Sequence, residues 1–334
     1  MNEITINSKN LGVITLIWQT RITELLNIQY PIIQGGLAHL AYSELAAAVS
    51  NAGGLGQITA MSLDHPEQLR EEILRVRQLT NNPFGVNFAI GQHGRSFADF
   101  LQVAIDENVP VISMTGGNPA PIIDQLKGTS IKKLVLVAAR RQAVKAEELG
   151  ADAVMVVGQE GGGHLGRDDV GTFVLIPQVV DAVSIPVIAS GGIGDGRGLM
   201  AALSLGAEGI EMGTRFIATK ECVHANELYK KRLIEGTEAD TVVIKRTLGM
   251  PARAISNKWT EKILELEKNN GSYEQLKSFI SGKANQRYIH DGVEKEGFAW
   301  AGQVMGLIKD VPTVANLFQR MIHDGEQIRE KWGK

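Results

Sequence analysis

From Pro31 onward, short apolar runs alternate with helix-like stretches, and each run ends in glycine or a polar residue. The first run, Pro31-Ile32-Ile33, closes in Gln34-Gly35-Gly36. The stretch after it carries Leu45, Ala46, Ala47 and Val49 and stops at Ala52-Gly53-Gly54, as a glycine C-cap would stop a helix. The pattern then predicts strands over 55–59, 84–88, 109–114, 134–137, 153–157, 185–189 and 209–212. Helices are expected between them, over 66–78, 97–107, 140–149, up to about 182, and over 199–205. Eight strand–helix units in line predict a TIM-type (β/α)8 barrel. An open doubly wound sheet would want a dinucleotide fingerprint. The run Gly194-Asp195-Gly196-Arg197-Gly198 reads G-x-G-x-G and fails it.

After Thr214 the pattern breaks. Residues 221–296 are more polar and hold a helix-like stretch, Lys258–Lys268. The segment is too long for a loop and too short for a comfortable core of its own. It is expected to be an inserted, mainly helical lid after the eighth strand, packed over the barrel mouth. Two further helices, over 299–308 and Val314–Trp332, should complete the outer ring. The domain plan is therefore a barrel from 21–220 and 297–334, a lid or substrate domain over 221–296, and an N-terminal extension over 1–20. The apolar run 11–18 is too short to span a bilayer and lacks a basic start and a cleavage site. It reads as an extra strand or a cap over the barrel bottom, and a cytoplasmic location follows by default.

Composition changes this picture little. Hydrophobic residues make up 44% and charged ones 21%, the balance of a globular protein with a large core. A net charge of −3 gives no general pull toward nucleic acid or a membrane surface. The single Cys222 excludes an internal disulfide; as a thiol it is either a nucleophile or inert.

Candidate chemistry gathers at the strand ends. After the sixth strand, Gly158-Gln159-Glu160-Gly161-Gly162-Gly163-His164-Leu165-Gly166 sets one imidazole among five glycines. Such a loop costs entropy and allows close backbone approach, and its histidine can titrate near neutral pH. The competing reading is a mobile surface loop. After the seventh and eighth strands, where barrels often bind phosphate, stand Ser190-Gly191-Gly192 and Gly213-Thr214. Arg197 and Arg215 lie close by, as phosphate ligands or as surface ion pairs. Gln34, Gly35, Gly36, Asn87 and Thr115 fit a flat ligand crossing the mouth, since amides give and accept the hydrogen bonds of an isoalloxazine edge. Asn87 as a turn cap is the alternative. His39 either lines the pocket or stays outside it, and His65 reads as a helix start. His93, His224, His290 and His323 show no metal-ligand spacing, so no metal is expected. Trp300 and Gln303 either reach substrate or pack on the barrel.

Taken together, Pro31-Ile32-Ile33-Gln34-Gly35-Gly36, the stretch 46–56 (AAAVSNAGGLG), 83–87 (PFGVN), 158–166, 186–192, 212–216 (MGTRF) and Ala301-Gly302-Gln303 resemble the nitronate monooxygenases. These FMN-dependent enzymes, formerly 2-nitropropane dioxygenases, have flavin-containing enoyl-ACP reductases and NADH:quinone reductases as relatives. The resemblance spreads over most of the chain. It implies a TIM barrel with a lid and an FMN whose phosphate sits on Ser190, Gly191, Gly192, Gly213 and Thr214. The ring would lie against Gly36, Leu37 and Ala38, with Asn87 and Gly162 nearby, and His164 matches the family's active-site histidine. The implied partners are a small-molecule substrate (a nitronate, or an enoyl thioester or quinone) and O2, with NAD(P)H as electron donor in the reductase reading. A homodimer is compatible with the lid. Two positions depart from the pattern. Leu136 stands where some members carry a lysine on the fifth strand, and Arg215 gives a GTRF form shared at least equally with the reductase branches. Three readings follow: nitronate oxidation, flavin-mediated reduction by NAD(P)H, and flavin binding without turnover.

Overall fold

The structure, a computed structural model, describes residues 18–91 and 96–332. Most of the apolar run 11–18, and His93, lie outside the described residues. In chain order the strands are β1 (Ile32–Gln34), β2 (Gly56–Thr59), β3 (Phe84–Ala89), β4 (Val111–Thr115), β5 (Lys132–Val137) and β6 (Ala153–Val157). A two-residue strand, β7 (Gly163–His164), then leaves the barrel before β8 (Val187–Ser190) and β9 (Gly209–Met212). The eight barrel strands run β1-β9-β8-β6-β5-β4-β3-β2, every neighbouring pair parallel. Ile33 bridges Leu55 to close the ring. There the Gln34 N–H donates to the Leu55 carbonyl at 2.9 Å, and the Leu55 N–H to that of Ile32 at 3.0 Å. The eight expected strands are thus the barrel, with β8 and β9 as its seventh and eighth staves.

The period of two along each strand sorts its residues between two cores. Val154 and Val156 pack outward under the helices, whereas Ala153 and Met155 point inward. The inner cluster joins Ile33, Leu55, Val111, Leu134, Met155 and Ile188 to Ile22 and Leu26 of the helix Arg21–Leu26, which plugs the amino-terminal end. Thr20 caps that helix, and Asn27 ends it in the left-handed region at φ 53°. Two residues further along the same inward faces, toward the carboxyl ends, the lining turns polar. Gln57, Asn87, Ser113, Ser190 and Glu211 are all buried there.

The segment after the barrel strands carries the helices Glu227–Glu235, Lys258–Lys268, Tyr273–Leu276 and Gly282–Ile289, and also a hairpin of β10 (Thr241–Ile244) and β11 (Ala252–Ile255). Its core is small and separate: Ile244, Ala254, Ile263, Leu276, Ala284 and Phe298. The hairpin takes β7 as its third strand, with Ala252 opposite His164 and Arg253 opposite Gly163.

One expected helix is not formed. The stretch 299–308 makes a bridge between Trp300 and Ala254 and then a short 3-10 turn, Gln303–Leu307. Its backbone bonds run sideways. The Ala299 carbonyl accepts from the Ile255 N–H, and the Gly302 N–H donates to Thr214 Oγ1, each at 2.9 Å. The Gln303 N–H goes to the Glu160 carbonyl at 2.9 Å, so the ladder of an α-helix never starts. Val314–Trp332 is the helix expected, and it packs Leu317, Phe318, Met321 and Ile322 on the main core.

Ile22 is fully buried at the plug. Ile22→Ala should therefore lower unfolding stability by about 2–4 kcal/mol, through lost burial and a residual cavity. Urea denaturation reads this directly, and an unchanged midpoint would show that the plug does not support the barrel.

Candidate active site

At the carboxyl ends of the strands, close approaches link the predicted residues one to the next. A Cβ on Gly36 would stand 2.3 Å from Asn87 Oδ1, and one on Gly213 would stand 3.3 Å from the Leu37 side chain. Asn87 is held by its amide, which donates to Ser113 Oγ at 2.8 Å, so it is no turn cap. The Leu37 N–H donates to Thr59 Oγ1 at 3.0 Å. Thr214 Oγ1 accepts from the Gly302 N–H and keeps its own hydrogen to donate elsewhere. Gly302 in turn abuts Gly162, whose Cβ would come within 2.6 Å of the Gly302 nitrogen. Gly191 and Gly192 turn at φ 90° and 78°, which favours glycine, and a Cβ on Gly191 would meet Gly158 O and Gly161 N at 3.1 Å. The ends of β1, β3, β8 and β9 and the loop after β6 thus meet at one mouth. Ala38 follows Leu37 in the loop after β1, beside this chain of contacts.

The glycine loop is anchored by Glu160. Its carboxylate accepts from the Thr172 N–H at 2.8 Å and from Thr172 Oγ1 at 2.9 Å. The Thr172 hydroxyl also lies against the carbonyls of Ser190 at 3.3 Å and Gly191 at 3.0 Å, which ties the loop to the end of β8. The loop is therefore ordered by named bonds and is not a free surface excursion.

Three predicted positions behave differently from a ligand role. Arg215 is buried, and its guanidinium donates to the carbonyls of Ala218 at 2.8 Å and Asp310 at 2.9 Å. Its Nη1 also lies 3.5 Å from Asp310 Oδ1, so the ion pair forms with the arginine buried. Arg197 pairs with Asp195 at the start of the helix Gly196–Ser204. The Cys222 thiol is buried and is pushed up to about 12 by that burial, which leaves it inert.

His164 stands one residue beyond Gly163, itself at φ 74°. Its ring lies 5.8 Å from that of Trp300, and Lys245 Nζ stands 2.7 Å from its Nε2. Lys245 follows β10 and is only 6% exposed. Burial pushes its ammonium down to about 8, against the opposing pull of Glu267. A second group that sequence reasoning missed is Glu211, buried in the polar layer and raised by desolvation, with Ser190 hydrogen bonding acting against it. Its carboxyl occupies the space a Cβ on Gly35 would need, at 2.6 Å. An acidic residue inside an apolar strand was the signal for Glu211. For Lys245 the only signal is a lysine closing the apolar run 241–244.

His39 lies at the rim, outside the chain of contacts. Its Nδ1 meets Gln286 Nε2 at 3.1 Å and its carbonyl meets His290 Nε2 at 2.9 Å, tying the loop after β1 to the helix Gly282–Ile289. His224 faces Glu44 across 3.8 Å and stacks edge-on to Tyr42, and His323 contacts Gln327 on its own helix. No group of three or more His, Cys, Asp or Glu residues among the described residues is placed to hold a metal ion, and no helix among them is long and apolar enough to cross a membrane.

A parallel barrel with polar strand ends and a glycine-lined mouth has the layout of an enzyme, and the comparisons that follow make it an oxidoreductase. The family model for nitronate monooxygenase matches residues 19–95 and 89–324, and the chain belongs to that family. It is 33% identical to a probable nitronate monooxygenase of Staphylococcus saprophyticus, over 93% of this chain and 99% of that one. To the Staphylococcus aureus protein of the same description it is 36% identical, over 85% and 91%. Among solved structures it superposes on FabK from Thermotoga maritima with a TM-score of 0.88 and 39% identity, covering 94% and 98%. Nitroalkane oxidase from Streptomyces ansochromogenes gives 0.80 and 27%, covering 93% and 99%.

Burial of Lys245 has a consequence for stability. The folded chain releases the ammonium proton near pH 8, whereas the unfolded chain holds it to about 10.5. Between those values the unfolded state binds more protons, so stability rises with pH across that window. Relative to Lys245→Met, the wild type should gain roughly 3 kcal/mol between pH 7.5 and 10.5. Paired urea titrations at the two pH values measure it, and a parallel pH response would place the amine in water.

Proposed function

We propose that the chain is an FMN-dependent nitronate monooxygenase that oxidises alkyl nitronates with O2 to carbonyl compounds and nitrite. One observation carries the reading: the loop bearing His164 is bonded to the glycine turn after β8, so imidazole and anion cradle share one mouth. The residues fit FMN. Gly191 and Gly192 leave no side chain over the end of β8, and Thr214 adds a hydroxyl donor beside Gly213, while the Ser190 hydroxyl bonds the Glu211 carboxyl. These five residues would hold the phosphate. Gly36, Leu37 and Ala38 would lie against the ring, with Asn87 and Gly162 nearby; Leu136 offers it no polar contact. Segment 221–296 would act as the lid, with β10 and β11 supporting the histidine.

When bound, FMN supplies acceptance of an electron from the nitronate, which commits that substrate to reaction with O2. The work of the chain is to bind and orient the nitronate and to manage one proton. A neutral nitroalkane must first lose its α-proton, and His164 is the group placed to take it. A substrate arriving as the nitronate needs only orientation by an N–H of the ring.

The 39% identity to FabK, against 27% to nitroalkane oxidase, supports a second reading. In it NAD(P)H delivers electrons and the acceptor is an enoyl thioester or a quinone, protonated or polarised by His164.

Anaerobic stopped-flow absorbance separates the readings. Bleaching of bound flavin by nitronate and not by NADH or NADPH is expected; fast bleaching by a nicotinamide would replace the proposal with the reductase. His164→Asn should keep nitronate turnover within a few-fold and abolish turnover of the neutral nitroalkane. A variant fully active on both would remove the histidine from proton transfer.

A further inference from the structure

Lys245 is built to meet His164. It closes β10 with its own backbone in the left-handed region at φ 64°, a conformation that is costly for a non-glycine residue. Glu267, on the helix Lys258–Lys268, holds that turn. One carboxylate oxygen accepts the Lys245 N–H at 2.9 Å, and the other accepts the N–H and hydroxyl of Thr247, each at 3.0 Å. The side chain then runs beside the Trp300 ring, with Nζ 5.2 Å from its centroid, and ends 2.7 Å from His164 Nε2. Strained backbone, a buried carboxylate clamp and an aromatic wall together aim one amine at one imidazole nitrogen.

We propose that Lys245 is a positioning residue that sets which nitrogen of His164 carries the proton. This deepens the reading of His164 as the group that meets substrate. As an ammonium, Lys245 only donates, so Nε2 must accept and the single proton of the neutral ring must sit on Nδ1. A second positive charge on the ring at 2.7 Å is disfavoured, so the imidazole stays neutral while the lysine is charged. In that state Nδ1 is a donor and Nε2 is engaged; the ring orients an anion and does not take a proton. When Lys245 gives its ammonium proton to solvent, the neutral amine is acceptor as well as donor; the ring proton is then no longer confined to Nδ1 and can move to Nε2, which leaves Nδ1 as the basic nitrogen. The charged groups around the pair are Glu267, then Arg246, paired with Asp169 at 2.9 Å, and Arg253, whose guanidinium donates to the Gln159 carbonyl and Thr241 Oγ1. Arg246 and Asp169 largely neutralise each other. Glu267 is spent on the turn, and the Lys245 ammonium stands within hydrogen-bond distance of the ring.

The test reads nitrogen shifts of 15N-histidine in the full-length protein as purified, with the His164 signal assigned by its loss in His164→Asn. The wild type at pH 7 should show the Nδ1–H form, passing to Nε2–H with a midpoint near pH 8. Lys245→Arg, a donor that keeps its charge, should hold Nδ1–H up to pH 9.5. Lys245→Met should lose the preference and let the ring titrate to imidazolium below pH 7. An Nε2–H ring in the wild type at pH 7, or the same titration in wild type and Lys245→Arg, overturns the proposal. The arginine variant decides the matter should the methionine variant not fold. On substrate, kcat/KM for a neutral nitroalkane should fall about tenfold per pH unit below pH 8 in the wild type, with the break moved above pH 9.5 in Lys245→Arg. Nitronate kinetics should lack this break. A protein that turns over neither compound defeats the functional reading alone, because the nitrogen shifts still decide the role of Lys245.

Discussion

Backbone meeting backbone governs the carboxyl end of this barrel. A Cβ on Gly158 would lie 2.1 Å from Thr172 Oγ1, and one on Gly162 would lie 2.6 Å from the Gly302 nitrogen. Where two chains pass this closely, side chains cannot tune the fit, and peptide groups must pair with peptide groups. The Glu160 carbonyl takes the Gln303 N–H, the Gly158 N–H donates to the Ser190 carbonyl, and Thr214 takes the N–H of Gly302. The loop after β6, the turn after β8, the start of the helix Thr214–Ile217 and the strip 301–303 thereby hold each other in place. The mouth owes its shape to this stitching more than to any apolar contact.

The barrel is legible in the sequence because its signal is local. Each strand is a short apolar run with alternating inward and outward sides, and each ends in residues that suit the mouth. That the residues on those ends gather at one mouth was legible for the same reason, since a (β/α)8 barrel puts such ends together whatever the helices do. The stretch 299–308 was not, because its apolar residues suit a helix face and a bridge equally. What decides between them is the set of partners from Ile255, Thr214 and Glu160. Lys245 was hidden for a stronger reason. Its meaning lies in a contact with a residue 81 positions earlier, and no window of sequence contains both. Arg215 was left open between a phosphate ligand and an ion pair, because proximity to a strand end does not say where a buried guanidinium points; it binds main-chain carbonyls, with Asp310 Oδ1 3.5 Å away.

The two ionisable residues at His164 invert the usual arrangement. The imidazole is the exposed partner and the lysine is the buried one. A buried amine is costly, and the structure offsets that cost with one carboxylate that touches the lysine backbone and not its head group. The charge is therefore left free to act across the 2.7 Å to the ring instead of being cancelled by a salt bridge.

The cradle glycines belong to the barrel, whereas His164 is a strand of the hairpin sheet that follows it. In the proposed reading, cofactor retention and proton handling are thus mounted on separate frames that touch along a few hydrogen bonds. Drift in residues 221–296 would then retune the imidazole without unloading the cradle. A family that shares one fold across oxidases and reductases has, in this division, a physical route for changing one half at a time.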